Sequence, residues 1–160
     1  MTAFTDSLGF DKGTKAYTST YTNRFTVIEI DLDFAAIAAA RVAAGVAALA
    51  AADTLVLCQL PKGTFVLNGS ATLVTAEGGT ATIDVGISGG TTDFWIDGFD
   101  LNGTAGTVGG YADATAYLTT ADTNVLLTIN NNDVDTARVK IQLAVIDMGA
   151  DQGTIPSSEV

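Results

Sequence analysis

The chain has 160 residues and is 48% hydrophobic, so it is long and apolar enough to bury one core as a single folded domain. Its seven basic and 18 acidic residues give a net charge of −11, which disfavours nucleic acid and anionic membrane surfaces as partners, because both attract clustered Lys and Arg. The sequence contains no histidine, the commonest general base and metal ligand. The single Cys58 excludes an internal disulfide framework and, within an apolar run, is expected to be a small buried side chain.

Residues 1–22 are small and polar and show no apolar periodicity, which predicts an extended N-terminal arm. The segment has neither the basic start nor the apolar core of a secretory signal. Residues 1–24 carry a net charge of +1, whereas the rest of the chain carries −12. Because tyrosine is enriched at interfaces, the arm is expected to contact a neighbouring subunit through four residues: Lys12, Lys15, Tyr17 and Tyr21.

The first regular elements are expected to be a strand over residues 24–32 and an alanine-rich helix with Asp33 as its N-cap. A helical wheel over residues 34–50 puts five apolar side chains on one packed face, and Gly45 is expected to split the helix into two short pieces. Alanine contributes little to bilayer insertion and Arg41 interrupts the run, so no membrane span is expected. The packed face would consist of Phe34, Ile37, Val42, Val46 and Leu49.

From residue 53 onward the sequence predicts strands joined by turns. The clearest strand is 136–146, in which Val139, Ile141, Leu143 and Val145 alternate with polar residues and would share one buried face. Asn68-Gly69 is typical of a hairpin turn and predicts two strands, 64–67 and 71–75, on either side of it. The other predicted strands are 54–60, 80–87, 92–96, a segment around Val108, 112–119 and 123–129.

About eight to ten strands with one short helical region predict an all-β domain, either a sandwich or a barrel. The domain would span residues 23–148, because the segments on both sides lack strand periodicity. Residues 149–160 are rich in Gly, Asp and Ser and are expected to form a C-terminal tail.

The densest acidic and aromatic patch is 93–100, Asp-Phe-Trp-Ile-Asp-Gly-Phe-Asp. It does not fit an EF-hand loop, because Trp95 stands where a side-chain oxygen is needed and Thr104 stands where the bidentate Glu is needed. Two further hypotheses are an irregular Ca²⁺ site and a sugar-stacking surface made by Phe94 and Trp95. Solvated turn carboxylates and core aromatics are the favoured interpretation, so no metal-binding residues are predicted.

An enzymatic activity is not expected. A Ser or Cys nucleophile would lack a His partner, and the many aspartates always offer some nominal pair of acids, which carries no information. We therefore predict no catalytic and no cofactor-binding residues. The three glutamates stand in no recognisable catalytic context: Glu29, Glu77 and Glu159.

Several segments together carry a resemblance to a known family. They are Leu-Asp-Phe-Ala-Ala-Ile-Ala at 32–38, Leu-Pro-Lys-Gly-Thr at 60–64, the run 75–86 around Glu-Gly-Gly-Thr, Asp-Gly-Phe-Asp-Leu-Asn at 97–102, Ala-Asp-Thr at 121–123 and the closing strand 139–148. Through them, residues 24–148 resemble the small capsid decoration (cement) proteins of tailed bacteriophages. None of these segments is catalytic, and the arm is the part that the resemblance covers least.

The resemblance implies a jelly-roll-like β-sandwich of about eight strands that binds the outer capsid surface of a virion and staples neighbouring capsomers. The protein would be made in the host cytoplasm. Its partners would be the major capsid protein and further copies of itself, as a dimer or trimer, with no nucleic acid, membrane or cofactor. The alternative is a glycan-binding β-sandwich module of a phage or bacterium, used for adhesion to a host surface.

Overall fold

The structure, a computed structural model, describes residues 25–47, 49–110 and 116–148. The predicted arm and tail lie outside these residues. The described part contains one helix and nine strands. In chain order these are β1 (Phe25–Asp33), α1 (Phe34–Ala43), β2 (Thr54–Leu60), β3 (Thr64–Thr75), β4 (Thr82–Ile87), β5 (Ile96–Asp100), β6 (Val108–Gly109), β7 (Tyr117–Leu118), β8 (Thr123–Asn130) and β9 (Arg138–Asp147).

The strands form two antiparallel sheets. One has the order β1-β9-β3-β6, with β7 also paired to β3, and the other has the order β2-β8-β4-β5. Each of the first four strands pairs with a strand from the second half of the chain: β1 with β9, β2 with β8, β3 with β6 and β7, and β4 with β5. The chain is therefore a long antiparallel ribbon whose successive strand pairs alternate between two sheets, which is the jelly-roll topology. The predicted all-β sandwich is confirmed.

Alternating side chains of the two sheets make the core. The predicted inward face of β9 is confirmed, since Val139, Ile141, Leu143 and Val145 are all buried. The facing sheet contributes the inward side chains of β4 and β8, as expected for a sandwich in which each strand has one buried face. They are Ile83, Val85, Val125, Leu127 and Ile129.

The helix begins as predicted but ends early. The Asp33 side chain accepts a hydrogen bond from the Ala36 amide at 3.0 Å, which satisfies one of the free N–H groups at the start of α1. The helix ends at Ala43, because Gly45 adopts φ of 71° and reverses the chain. The expected break at Gly45 is confirmed, whereas the second helical piece predicted between Gly45 and residue 50 was wrong.

The predicted helical packed face was also wrong in part. Phe34 is buried and Ile37 packs at the edge of the core, whereas Val42 and Val46 are exposed. Leu49 is buried but belongs to the connection that follows α1. The helical wheel assumed that the helix continued past Gly45, so it assigned Val46 and Leu49 from the connection to a helical face, whereas Val42 lies in the last turn of α1 and is exposed there.

The Asn68-Gly69 hairpin was wrong, because β3 runs without interruption through both residues. The pairing with β9 shifts register between Val66 and Asn68, which marks a β-bulge. Gly69 is needed for space: a Cβ there would lie 2.8 Å from the Trp95 Cβ and 3.0 Å from the Leu143 Cδ2. The glycine allows close packing across the sandwich, which a local turn motif does not reveal.

The weaker strand predictions were partly right. The strand expected at 92–96 begins later, at Ile96, because residues 91 and 92 fold tightly against β4 at Gly86, where any Cβ would collide with the Thr91 carbonyl. The strand expected at 112–119 appears as β7, with residues 111–115 outside the described part. None of the described helical segments is long and apolar enough to cross a membrane.

Candidate interaction surface

The solvent side of the β1-β9-β3 sheet is named here the outer sheet face. Along β9 the even-numbered side chains from Arg138 to Ile146 point to this side, because the odd-numbered ones are buried. The register places Phe25 opposite Ile146 on one flank and Ser70 opposite Gln142 on the other. Directly opposed residues of antiparallel strands point to the same side, so the three strands share one continuous surface.

One half of this surface is charged and internally paired. Arg138 donates from Nε and Nη2 to the two carboxylate oxygens of Asp31, at 2.9 and 2.7 Å. Lys140 Nζ donates to Glu29 Oε1 at 2.9 Å, and Gln142 Nε2 donates to Glu29 Oε2 at 2.9 Å. We name this group of five residues the charged half.

These pairs shift the ionisation of their members in the expected directions. The hydrogen bond from Lys140 lowers the pKa of Glu29, and the hydrogen bonds from Arg138 lower the pKa of Asp31. The same contacts raise the pKa of Lys140 and Arg138. Because the pairs are solvent-exposed, they contribute little to stability, and their charges are already neutralised locally.

The other half of the outer sheet face is apolar. Phe25, Ile146, Phe65 and Leu118 stand opposite one another in a row across β1, β9, β3 and β7. Val27 and Ala144 lie in the next row, whose β3 position is the exposed Asn68, and Leu67 is exposed beside it in the β3 bulge. We name the seven apolar residues the apolar half.

The apolar half is unusually exposed for strand residues. Phe25 is 55% exposed, Val27 is 50% exposed and Leu118 is 48% exposed. Single exposed apolar side chains are normal on a protein surface, but a contiguous group across four neighbouring strands is typical of an interaction site. Periodicity alone could not reveal this group, since its members are separated by up to about 120 positions in the sequence.

The aromatic residues proposed as a sugar-stacking surface lie mostly inside the protein. Trp95 is only 3% exposed. Its ring makes edge-to-face contacts with Phe94 and Tyr117, at centroid distances of 5.5 and 6.1 Å. The Trp95 ring therefore belongs to the core between the sheets and presents no open face on which a sugar could stack.

The acidic residues of segment 93–100 do not converge on one point. Asp100 Oδ1 accepts a hydrogen bond from the Asn102 amide at 2.8 Å, which is a turn-forming contact. Asp84, on the neighbouring strand, accepts from the Gly98 amide at 2.8 Å and from Asn130 Nδ2 at 2.6 Å. Among the described residues, no three His, Cys, Asp or Glu side chains are close enough together to hold a metal ion.

Cys58 lies in β2 and packs against the edge of the core. It is half-buried, and this burial raises the pKa of its thiol. A thiol that is harder to deprotonate is a poor nucleophile. The side chain contributes apolar packing, although it is less buried than the sequence led us to expect.

Glu77 is the residue whose role the sequence did not reveal. It is 6% exposed, and its carboxylate accepts hydrogen bonds from the amides of Asp135, Thr136 and Ala137 at 3.2, 3.0 and 2.9 Å. The Thr136 hydroxyl donates to the second oxygen at 2.6 Å. Burial alone would raise the pKa of Glu77, but these hydrogen bonds outweigh it and lower the pKa to about 2.

The Glu77 contacts are structural. They fix the segment that leads into β9, and the Ala137 carbonyl in turn accepts a hydrogen bond from the Phe34 amide at 2.9 Å. One carboxylate thereby ties the end of β3 to the start of β9 and, through it, to the start of α1. The four arm residues predicted to contact a partner, Lys12, Lys15, Tyr17 and Tyr21, lie outside the described residues.

Comparison with known proteins gives structural similarity without sequence similarity. No family model and no curated protein matches the chain. A chain in the acidic stable capsid structure of Helicobacter pylori bacteriophage KHP30 is 16% identical, with a TM-score of 0.52 over 76% of this chain and 86% of that chain. A chain in the cyanophage Pam1 capsid asymmetric unit is 19% identical, with a TM-score of 0.53 over 76% and 84% of the two chains.

A third similar chain comes from the capsid of Ralstonia phage GP4. It is 17% identical, with a TM-score of 0.50 over 81% of this chain and 87% of that chain. At identities this low the similarity concerns the fold, which this chain shares with chains found in phage capsid structures.

Proposed function

We propose that this chain is a structural protein of a bacteriophage virion that binds the outer surface of the capsid and stabilises contacts between capsomers. The observation that carries the proposal is the jelly roll itself, whose structural neighbours are chains of three phage capsid structures. The resemblance of residues 24–148 to capsid decoration proteins, found from the sequence, points the same way.

The share of each chain that the structural matches cover supports a capsid component made up mostly of this fold. Each match covers at least 76% of this chain and at least 84% of the similar chain. The similar chains are therefore close to this one in length, and the shared fold makes up most of each. This supports a role for this chain like that of the similar chains, as a capsid component built mainly from the jelly roll.

The chemistry of the surface suits such a role. A protein displayed in many copies benefits from a net charge of −11, because like charges keep particles apart in solution. The partners in this proposal are the major capsid protein and further copies of this chain, as a dimer or trimer. The arm contacts a neighbouring subunit through Lys12, Lys15, Tyr17 and Tyr21. No catalytic step is required.

The alternative of a glycan-binding module has lost its main support. It depended on Trp95 with Phe94 as a stacking surface, and Trp95 is buried between the sheets. We therefore retain one proposed function.

The test uses purified phage particles and particles from a phage in which the gene is deleted. We expect the protein at a copy number comparable to that of the major capsid protein, with antibody labelling on intact particles seen by electron microscopy. Adding the purified protein back to deleted particles should raise the temperature at which they release DNA. Absence from particles, or labelling only after they are broken open, would contradict the proposal.

A further inference from the structure

We propose that the apolar half of the outer sheet face is the binding site for residues 1–24 of a neighbouring copy of the chain. This inference deepens the proposed function, on which it rests for the oligomer, by naming the surface and its occupant. It concerns the contact between copies and can be tested without capsids.

The apolar half is large enough to bind a segment from another copy of the chain. Its outermost row spans four strands, which corresponds to about 14 Å at the usual spacing between strands. No described residue covers Phe25, Val27 or Leu118, each of which is about half exposed. Burying such side chains against another apolar surface is favourable, because it removes them from water.

The position of Phe25 at the start of β1 indicates which segment would bind to the apolar half. Phe25 is the first residue of β1 and belongs to the outermost row of the apolar half. The β1 strand therefore begins at the same end of the sheet where the apolar half lies. A segment that continues in line with β1 would leave the sheet at that end and point away from its own apolar half, so a neighbouring copy placed there is the expected partner.

The length of the segment is sufficient. A stretch of 24 residues reaches up to about 80 Å when extended. This is several times the width of the apolar half, so the segment can cross from one copy to the next and still lie over the site.

The composition of the segment fits the site. Residues 1–24 contain six large apolar or aromatic side chains among small polar residues, and Met, Phe and Tyr are enriched at interfaces. Their net charge of +1 is opposite in sign to the −12 of the remaining chain, so the segment is attracted to the body of another copy. The six side chains are Met1, Phe4, Leu8, Phe10, Tyr17 and Tyr21.

The position of the contact is tested with a photo-reactive amino acid at residue 27 of the full-length protein, in a mixture of ¹⁵N-labelled and unlabelled chains. We expect cross-links from residue 27 to residues 1–24, with labelled and unlabelled partners joined in the same product. Cross-links only within one chain would overturn the inference, and so would cross-links to another region or none at all.

A matched pair of full-length variants tests the energetics. Val27→Lys puts a like charge on the surface that receives the basic segment, whereas Val56→Lys makes the same change at a 64% exposed valine of the opposite sheet. We expect Val27→Lys to weaken self-association by at least about tenfold in sedimentation, and Val56→Lys to leave it unchanged. Equal effects of the two variants would overturn the inference.

Failure of this inference and failure of the proposed function are distinguishable. If capsid binding is observed but Val27→Lys has no effect on self-association, only the assignment of the apolar half is wrong. If self-association depends on Val27 but the protein is absent from particles, the contact between copies stands and the capsid role falls.

Discussion

Glu77 organises several backbone amides around one buried carboxylate. An ionised carboxylate that accepts hydrogen bonds from consecutive amides is stabilised relative to its protonated form, which is why its pKa is lowered to about 2. In the unfolded chain the pKa returns to the ordinary value of 4.5. The resulting stabilisation is fully present above pH 4.5 and is lost as the pH falls toward 2.

Glu77→Gln is expected to destabilise the fold at neutral pH by about 2–3 kcal/mol, because the amide cannot accept all the hydrogen bonds and sets its own N–H group against other donors. Urea denaturation at pH 7 and near pH 2.5 measures the effect. The difference between wild type and variant should shrink at the lower pH, where the native carboxylate approaches protonation. Glu29→Gln, which changes an exposed carboxylate, is the control and should have a small effect at both values.

Gly69→Ala tests the close approach across the sandwich. The new Cβ would lie within 3.0 Å of both Trp95 and Leu143, neither of which can move freely in the core. We expect a loss of about 1–3 kcal/mol in unfolding free energy, measured by denaturation. Gly78→Ala is the matched control, because its Cβ would meet nothing within 4 Å, and it should change stability by less than about 0.5 kcal/mol. A neutral Gly69→Ala would contradict the packing argument.

These two residues show what a single sequence leaves hidden at this scale. Glu77 follows a strand and precedes two glycines, and this pattern is typical of an ordinary turn. Its partners lie about 60 positions away. Gly69 next to Asn68 reads as a hairpin for the same reason, since local propensity carries no information about Trp95 on the facing sheet.

For the secondary-structure elements, the predictions from the sequence were correct where a strand has one solvent-exposed face and one buried face. The alternation in β9 correctly predicted its buried side chains, because this strand lies inside its sheet. It was less informative for the two-residue strands β6 and β7, which are too short to show a period. A break at Gly45 was expected, but a second helical piece was predicted after it, because glycine was weighed only by its low helix propensity and not as a stop at positive φ.

Asp33→Ala tests the start of α1. The variant removes the acceptor for the Ala36 amide, and we expect a loss of about 1 kcal/mol, seen as a melting temperature lower by a few degrees. Asp33→Asn keeps a capping oxygen and is the control, with a melt close to that of wild type. If both variants melt alike and below wild type, the charge of Asp33 matters more than its hydrogen bond.

For the whole molecule, the pattern of predicted strands correctly indicated an all-β fold, but the jelly-roll winding came from the resemblance and not from periodicity. Pairings such as β1 with β9 join residues more than 100 positions apart. The apolar half exists only through these pairings, because β1, β3, β7 and β9 each contribute one or two of its members. A surface assembled in this way has no counterpart in any one segment of the sequence.

The last prediction concerns the arm and the body together. Within the described part, β1 starts at Phe25 and the buried core is formed by side chains between Phe34 and Val145. A chain that begins at Asn23 should therefore melt at the same temperature as the full-length protein in dilute solution, where copies are separated. It should co-sediment less with undecorated capsids, because the proposed contacts of Lys12, Lys15, Tyr17 and Tyr21 are lost.

The two measurements separate the possible roles of the arm. Full retention of capsid binding would show that the arm makes no contribution to the contact with the particle. A collapse of the fold would show that residues 1–22 supply part of the core, which is not expected because all nine described strands have their hydrogen-bonded partners within residues 25–147. An unchanged melt with weakened co-sedimentation is the result that the proposal requires, since it assigns the arm to contacts between subunits rather than to the folding of one.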